Sequence, residues 1–410
     1  MTQTRFGETV GPVTDFRTSG VSRFADRDLG VQRVRCQVGV PLAQQAQLGH
    51  NRWHPDIPPV AEVKPGEEII LETPGYDDYQ LKDNDDISDL QTFDLTRVHP
   101  LAGPVKVIGA EPGDLLVVDL LEVAPLSGIG YSCILPGMGG PLRDWFPKGF
   151  KSVWDCKGVW ATSRHVPGVR IPAISHPGVI GVAPSHELLR LWNEREDPLI
   201  KDGKAAPRAE AASTAVLRTL TGAQRDRVAQ EAARTVPPRE NGGNVDIKNL
   251  SRGSRLYFPV FVEGALFSLG DLHFAEGDGE VTWNAIEMDG QTWVRLDLIK
   301  GAARKFDIRS PLFEPSPVDP QFGARYLTFT GVSAKKNEQG YLDASMAALN
   351  ALEQAVEYLM KFGFTGEQAY TIISVAPCEM RISSIVDIPN ACVTLAIPRD
   401  IFEKDVLPTT

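Results

Sequence analysis

The densest group of side chains able to do chemistry is Gly270-Asp271-Leu272-His273-Phe274-Ala275-Glu276-Gly277-Asp278-Gly279-Glu280, which directly follows an apolar run. If that run is a strand reaching His273, Asp271 and His273 stand two residues apart and share one face. Asp278 and Glu280 are again two apart, across a turn that Gly277 and Gly279 allow to be tight enough to fold one pair back towards the other. One imidazole and three carboxylates brought together suit a divalent metal, with one carboxylate left as general base. The same residues also read as an acidic hairpin loop in water, because Asp-Gly is a common turn. A second group is Asn241-Gly242-Gly243-Asn244-Val245-Asp246. It reads as a surface turn, or as a turn entering a strand whose one face carries Asn244 and Asp246 as ligands or substrate contacts.

Other chemistries have weaker carriers. The remaining histidines, His50, His54, His99, His165, His176 and His186, are scattered, and no His-Glu-x-x-His occurs. His99 opens a Pro- and Gly-rich loop and either points into a site or caps a turn. There is no G-x-S-x-G elbow and no phosphate-binding G-x-x-x-x-G-K-[ST] loop. Cys378, beside Glu379, is a candidate thiol nucleophile or simply a buried small hydrophobe. The five cysteines are odd in number and form no C-x-x-C pair, so a reducing, cytoplasmic setting is expected.

The elements that must position these groups alternate between strands and turns. Glu67–Glu72, Leu115–Val123, His176–Pro184, Arg255–Val262 and Ala265–Gly270 read as strands framed by Gly and Pro. The first 60 residues read as loops and short strands, 77–94 as an exposed acidic loop, and 128–150 as a packed irregular segment. Residues 185–236 are charged and Ala-rich, with helical patches at Glu187–Glu194 and Ala223–Ala233. Leu342–Phe362 is the clearest helix, with Met346, Leu349, Leu352, Val356 and Leu359 on one face, and a second helix begins near Thr365-Gly366-Glu367. The expected organisation is a β-rich N-terminal region (1–184), a helical insertion (185–240) and a C-terminal α+β region (241–410) that carries the site, together one compact unit.

Composition sets the outer bounds. With 410 residues the chain can bury a full core without disulfides. Its 37 Gly and 31 Pro favour a turn-rich, β-rich or mixed fold over a helix bundle. A formal charge of −11 disfavours nucleic acid and anionic membranes as partners. No run approaches the roughly 18 apolar residues of a membrane span, and the N-terminus has no apolar export signal.

Several long segments, taken in order, carry a family likeness. They are Asn51-Arg52-Trp53-His54-Pro55-Asp56-Ile57-Pro58-Pro59 with Val63–Glu67, and His99-Pro100-Leu101-Ala102-Gly103-Pro104 with Gly109–Asp114. Ala161–Gly168, Gly243-Asn244-Val245-Asp246-Ile247-Lys248-Asn249-Leu250, and Gly270–His273 with Gly277–Glu280 complete the set. From about Asn51 to about Phe402 the chain resembles the formamidase/acetamidase family, in its longer formamidase branch. It departs from the family pattern at Asn241, where a His is expected, at Val245 in place of Cys, and at Met380 and Ser384 in place of Gly. The likeness implies a β-rich α+β fold of mostly antiparallel strands, hydrolysis of small amides to a carboxylate and ammonia, and a homo-oligomer. The site it implies has Asp246, Asp271 and His273 holding a divalent metal, with zinc the expected ion, and Glu280 as general base and then acid. Asn244 would orient the substrate amide. Direct activation of water by Glu280 and His273, with backbone N–H groups near Gly242 and Gly243 as oxyanion hole, and thiol attack by Cys378 are the alternatives, as is a binding protein without catalysis on the same scaffold.

Overall fold

The computed structural model describes residues 30–138, 140–204, 212–316 and 325–408; what the sequence predicts for 1–29 and 205–211 lies outside them. A 16-stranded, mostly antiparallel sheet dominates, and its central path brings Leu115–Ile134, Glu287–Ile299, Phe267–His273, His176–Gly181 and Gly242–Asn244 side by side. Among the described residues only two pairings within it are parallel, Gln32–Val34 with Glu67–Thr73 and Ala61–Val63 with Leu101–Val107. These strands are rich in Val, Ile and Leu, and Ile69, Leu71, Val118, Leu120, Val294, Leu296 and Leu269 are all buried in one apolar core. A separate three-stranded sheet orders Tyr326–Val332, Cys392–Pro398 and Glu379–Ser384. The fold is thus the β-rich α+β class that the turn-laden composition predicts.

Helices are few and well signalled. Ala344–Met360 is capped by Asp343, whose side chain accepts from the Met346 N–H, and it buries Ala347, Ala351, Leu352, Ala355, Val356 and Leu359. Gly366–Val375 starts in a capping box of Thr365 and Gln368 and is buried along most of its length. His186–Lys201 and Gly222–Glu231 fall where the charged stretch predicts helix. No helix among the described residues is long and apolar enough to cross a membrane.

Two readings are corrected. Residues 128–134 are not irregular: the strand from Leu115 runs on to Ile134 and pairs with Phe150–Lys157. Gly130 serves close approach, since a Cβ there would lie 2.6 Å from Ile286 Cγ2, while Gly128 takes a positive φ of 75° within the strand. The acidic segment 77–94 is exposed only in part. Asp77 and Asp78 are buried, Asp78 pairing with Arg97 at 2.6 Å, and Lys151 crosses from the neighbouring strand to hold Asp89 at 2.6 Å and Asn84 at 2.9 Å.

Candidate active site

Strand register builds the site. His176 stands directly opposite His273, and His273 directly opposite Glu287. Three adjacent strands therefore present one imidazole, a second imidazole and a carboxylate in a row. His273 is the hub. Its Nδ1 lies 2.9 Å from Glu276 Oε2 and 3.2 Å from His176 Nε2, while its Nε2 faces Glu287 Oε2 at 3.3 Å and Asp271 Oδ1 at 3.6 Å. Two further carboxylates arrive from turns. Oxygens of Asp246 and Glu280 and a ring nitrogen of His273 lie within 4.8 Å of one another, as do those of Asp271, His273 and Glu287. The sequence-selected Asp246, Asp271, His273 and Glu280 thus converge on one imidazole. His176, Glu276 and Glu287 join them unselected, and His99 approaches Asp271 Oδ2 at 3.9 Å.

The backbone is bent to achieve this. Asp246, Asp271 and Glu280 all sit at positive φ, 45°, 53° and 39°, a conformation that costs energy for non-glycine residues and persists where the surroundings enforce it. Glu280 sits in a turn pinned from below by the end of the helix Gly366–Val375. The Gly277 N–H donates to Ser374 O at 2.7 Å, the Thr282 N–H donates to Ser374 Oγ at 3.1 Å, and Ser374 Oγ donates to Asn284 O at 2.7 Å. Asp246 follows the strand Gly242–Asn244, and the Val245 N–H donates to Gly178 O at 2.9 Å. Asn244 Nδ2 donates to Asp246 Oδ2 at 2.9 Å, which leaves Asn244 Oδ1 and Asp246 Oδ1 buried without a partner. The other members of the Gly270–Glu280 segment divide: Asp278 turns away to an ion pair with Lys248 and accepts from the Met380 N–H at 2.9 Å.

Gly178 makes the central space. It lies opposite Asp271, between the pairs Pro177–Leu272 and Val179–Gly270. A Cβ there would stand 2.7 Å from His273 Nε2 and 2.8 Å from Asp271 Oδ2. His273 Nε2 and Glu287 Oε2 face this region buried and without a hydrogen-bond partner, and a buried polar atom left so is costly unless a ligand satisfies it. We expect Gly178→Ala to keep the sheet, lose about 1–3 kcal/mol to overpacking, and abolish turnover; an amidase assay and thermal unfolding check it, and an alanine enzyme with full turnover would refute the cradle.

Electrostatics point the same way. Burial, with the charges of Glu276 and Asp271, holds Asp246 well above the usual carboxylate range. Burial and then Asp246 do the same to Glu280, and burial pushes Glu287 up to about 8. Burial opposes the charged form of Asp271 and of Glu276 too. Yet His99 and His273 hold Asp271 low, and hydrogen bonds from His176 and His273 hold Glu276 low. His273 is raised despite burial, by Glu287 and Asp271. Between about pH 6.5 and about 8 the folded, metal-free protein therefore binds more protons than the unfolded chain, and its stability falls as pH rises. Buried His50 and His99, lowered by burial, work the other way only below about pH 6.5. Thermal unfolding in chelator is expected to show a falling Tm across that window and a metal-induced rise that grows with pH, because ligands bind deprotonated; a Tm that climbs with pH in chelator would contradict it.

The alternatives fare unevenly. Gly242 and Gly243 lie inside the sheet, flanked by Pro238–Arg239 and His176–Gly181, rather than at a free rim. Cys378 is part of the apolar core, and burial drives its thiol well up, away from the thiolate that attack requires.

Comparison with known proteins completes the assignment. Residues 36–404 match the Acetamidase/Formamidase family. A formamidase of Methylophilus methylotrophus is 48% identical over 378 residues, covering 90% of this chain and 92% of its own. An acetamidase of Mycolicibacterium smegmatis is 48% identical over 357 residues, covering 82% and 88%. Among solved structures, a gamma lactamase from Delftia acidovorans superposes with a TM-score of 0.89 at 45% identity, covering 93% of this chain and 95% of that one. On the family match and these identities, the chain belongs to the acetamidase/formamidase family and is an amidase.

Proposed function

We propose that the protein hydrolyses a small amide to a carboxylate and ammonia or an amine, at a divalent cation held by Asp246, Asp271 and His273. The observation that carries this is the cradle at Gly178, where His273 Nε2 and Glu287 Oε2 lie buried with no hydrogen-bond partner beside Asp271 Oδ2. Five carboxylates around the imidazoles (Asp246, Asp271, Glu276, Glu280 and Glu287) repel one another unless a cation or held protons intervene. Glu287 Oε2 adds a further oxygen beside His273 Nε2. The mixed imidazole and carboxylate donor set fits zinc. Such an ion lowers the pKa of a water to roughly 7 and polarises a carbonyl.

The chain's own residues do the rest. Glu280 takes a proton from the attacking water as the new C–O bond forms, and returns it to the amide nitrogen as the C–N bond breaks. Its raised affinity for protons suits both halves of that exchange. Asn244, its Nδ2 committed to Asp246, offers Oδ1 to a substrate N–H. The likeness to a formamidase and an acetamidase supports short acyl groups. Binding without turnover has no observation in its favour.

The test is an ammonia assay over formamide, acetamide, propionamide and lactams, with zinc quantified in the same preparation. Release from at least one amide, tracking zinc content, is expected; no release from any of them with metal added would reject the reading. We also propose a homo-oligomer. Tyr341, Ile382, Ile385, Val386 and Ile388 are large exposed apolar side chains around the small sheet, and light scattering is expected to give a mass above 44.8 kDa.

A further inference from the structure

We propose that Glu276 and His176 are positioning residues: a buried clamp that fixes His273 with its Nδ1 protonated, so that the Nε2 lone pair faces Asp271 and Glu287. This rests on the cation reading above only for its consequence, not for its geometry. Glu276 and His176 are fully buried, and neither had a place in the proposed reaction. The argument starts at the far end. His176 Nδ1 lies 2.7 Å from the carbonyl oxygen of Ile174. A carbonyl only accepts, so His176 Nδ1 carries a proton. That sets the His176 ring, whose Nε2 meets Glu276 Oε2 at 2.8 Å, a contact that needs one further proton held between the two atoms, on Nε2 or on the carboxyl oxygen.

The same oxygen, Glu276 Oε2, lies 2.9 Å from His273 Nδ1. One carboxylate oxygen therefore meets two ring nitrogens, and the His176–His273 rings stand edge to face with centroids 5.0 Å apart. A carboxylate oxygen in this place accepts from Nδ1–H, which leaves His273 Nε2 without a proton in the neutral ring. Strand pairing makes the arrangement stiff: His176 and His273 are directly opposed, and Glu276 follows three residues after His273, where the Phe274 N–H donates to Ile286 O at 2.8 Å. An outer carboxylate or carbonyl on the second nitrogen of a ligating histidine fixes its tautomer and raises its basicity. Here the carboxylate is itself fixed by a second histidine anchored to the backbone.

Glu276 and His176 also lie within 4.8 Å of His273 as a group that could hold an ion themselves, so the experiment separates positioning from ligation. Cadmium-113 is loaded into 15N-histidine protein. Wild type is expected to show coupling from cadmium to His273 Nε2 alone, with a slowly exchanging Nδ1–H. Glu276→Gln and His176→Gln are expected to weaken zinc binding ~10–100-fold by chelator competition. Their cobalt(II) absorption spectra should keep the wild-type shape, as ligand variants would not. Coupling to His273 Nδ1 or to His176, or wild-type zinc affinity in both folded variants, overturns the proposal. If wild type binds no metal, the cation reading falls. The 15N shifts of His273 in the metal-free protein, followed upward in pH until the ring is neutral, then decide this one: a neutral ring protonated at Nδ1 in wild type and altered in Glu276→Gln supports the clamp, and protonation at Nε2, or no change in the variant, overturns it.

Discussion

Glu280→Gln is expected to yield a folded protein that retains its metal and turns over its amide ~10²–10⁴-fold more slowly. Gln matches Glu in size, so the turn that carries it keeps its supports. Those are the Glu280 N–H to Gly277 O at 3.0 Å, the Trp283 N–H to Glu280 O at 2.8 Å, and the bonds to Ser374 beneath. What the amide cannot do is take up and return a proton. The position is suited to that task because burial and the neighbouring Asp246 raise the carboxyl's proton affinity far above that of a free glutamate. Steady-state kinetics with metal analysis distinguishes the roles. Full turnover rejects Glu280 as base, and a proportionate loss of metal moves it into the ligand set with Asp246 and His273.

The residues that spacing reveals and those it hides differ for a physical reason. Asp271, His273 and Glu280 lie within ten residues, and Asn244 and Asp246 in one Gly-rich turn, so local period and turn chemistry are enough to group them. His176 is 97 residues from the ring it touches. Glu287 reaches His273 only through the register between their two strands. No local pattern encodes a register; it follows from which strands pair in a large sheet. Glu276 is a different case, in plain view within the acidic segment, but nothing in the spacing sets it apart from Asp278, which the fold sends to Lys248. The strand ending at Ile134 is hidden by its glycines, of which Gly130 serves the approach of Ile286 and Cys156 rather than a turn. Helices were the more legible elements, because caps and apolar spacing are local: Asp343 and Thr365 mark the two C-terminal starts within the sequence itself.

On the proposed cation site, His273→Ala is expected to remove metal binding and bring turnover down by ~10³-fold or more, since the several kcal/mol of transition-state stabilisation that a cation there would supply go with it at about 1.4 kcal/mol per tenfold. Its cost in stability is expected to depend on pH. The ring is fully buried among Asp271, Glu276 and Glu287. Taking it away leaves Glu276 its partner His176 at 2.8 Å. Asp271 keeps His99, at 3.9 Å, and Glu287 Oε2 loses the ring nitrogen that faced it at 3.3 Å. Near neutral pH a buried carboxylate without its cation is strongly destabilising, so the variant should unfold well below wild type. Towards about pH 5 Asp271 and Glu276, no longer held low by the ring, take up protons more readily than in wild type, so the repulsion eases and the gap should narrow towards the loss of packing. Glu287, raised to about 8, is protonated at both pH values, so the difference comes from Asp271 and Glu276, which the imidazole holds low in wild type. Thermal unfolding of wild type and variant in chelator at both pH values reads it directly. A stability gap that is the same at both, or wider in acid, would mean that the ring's partners are not charged carboxylates held in its field, and would remove the electrostatic basis for placing a cation there.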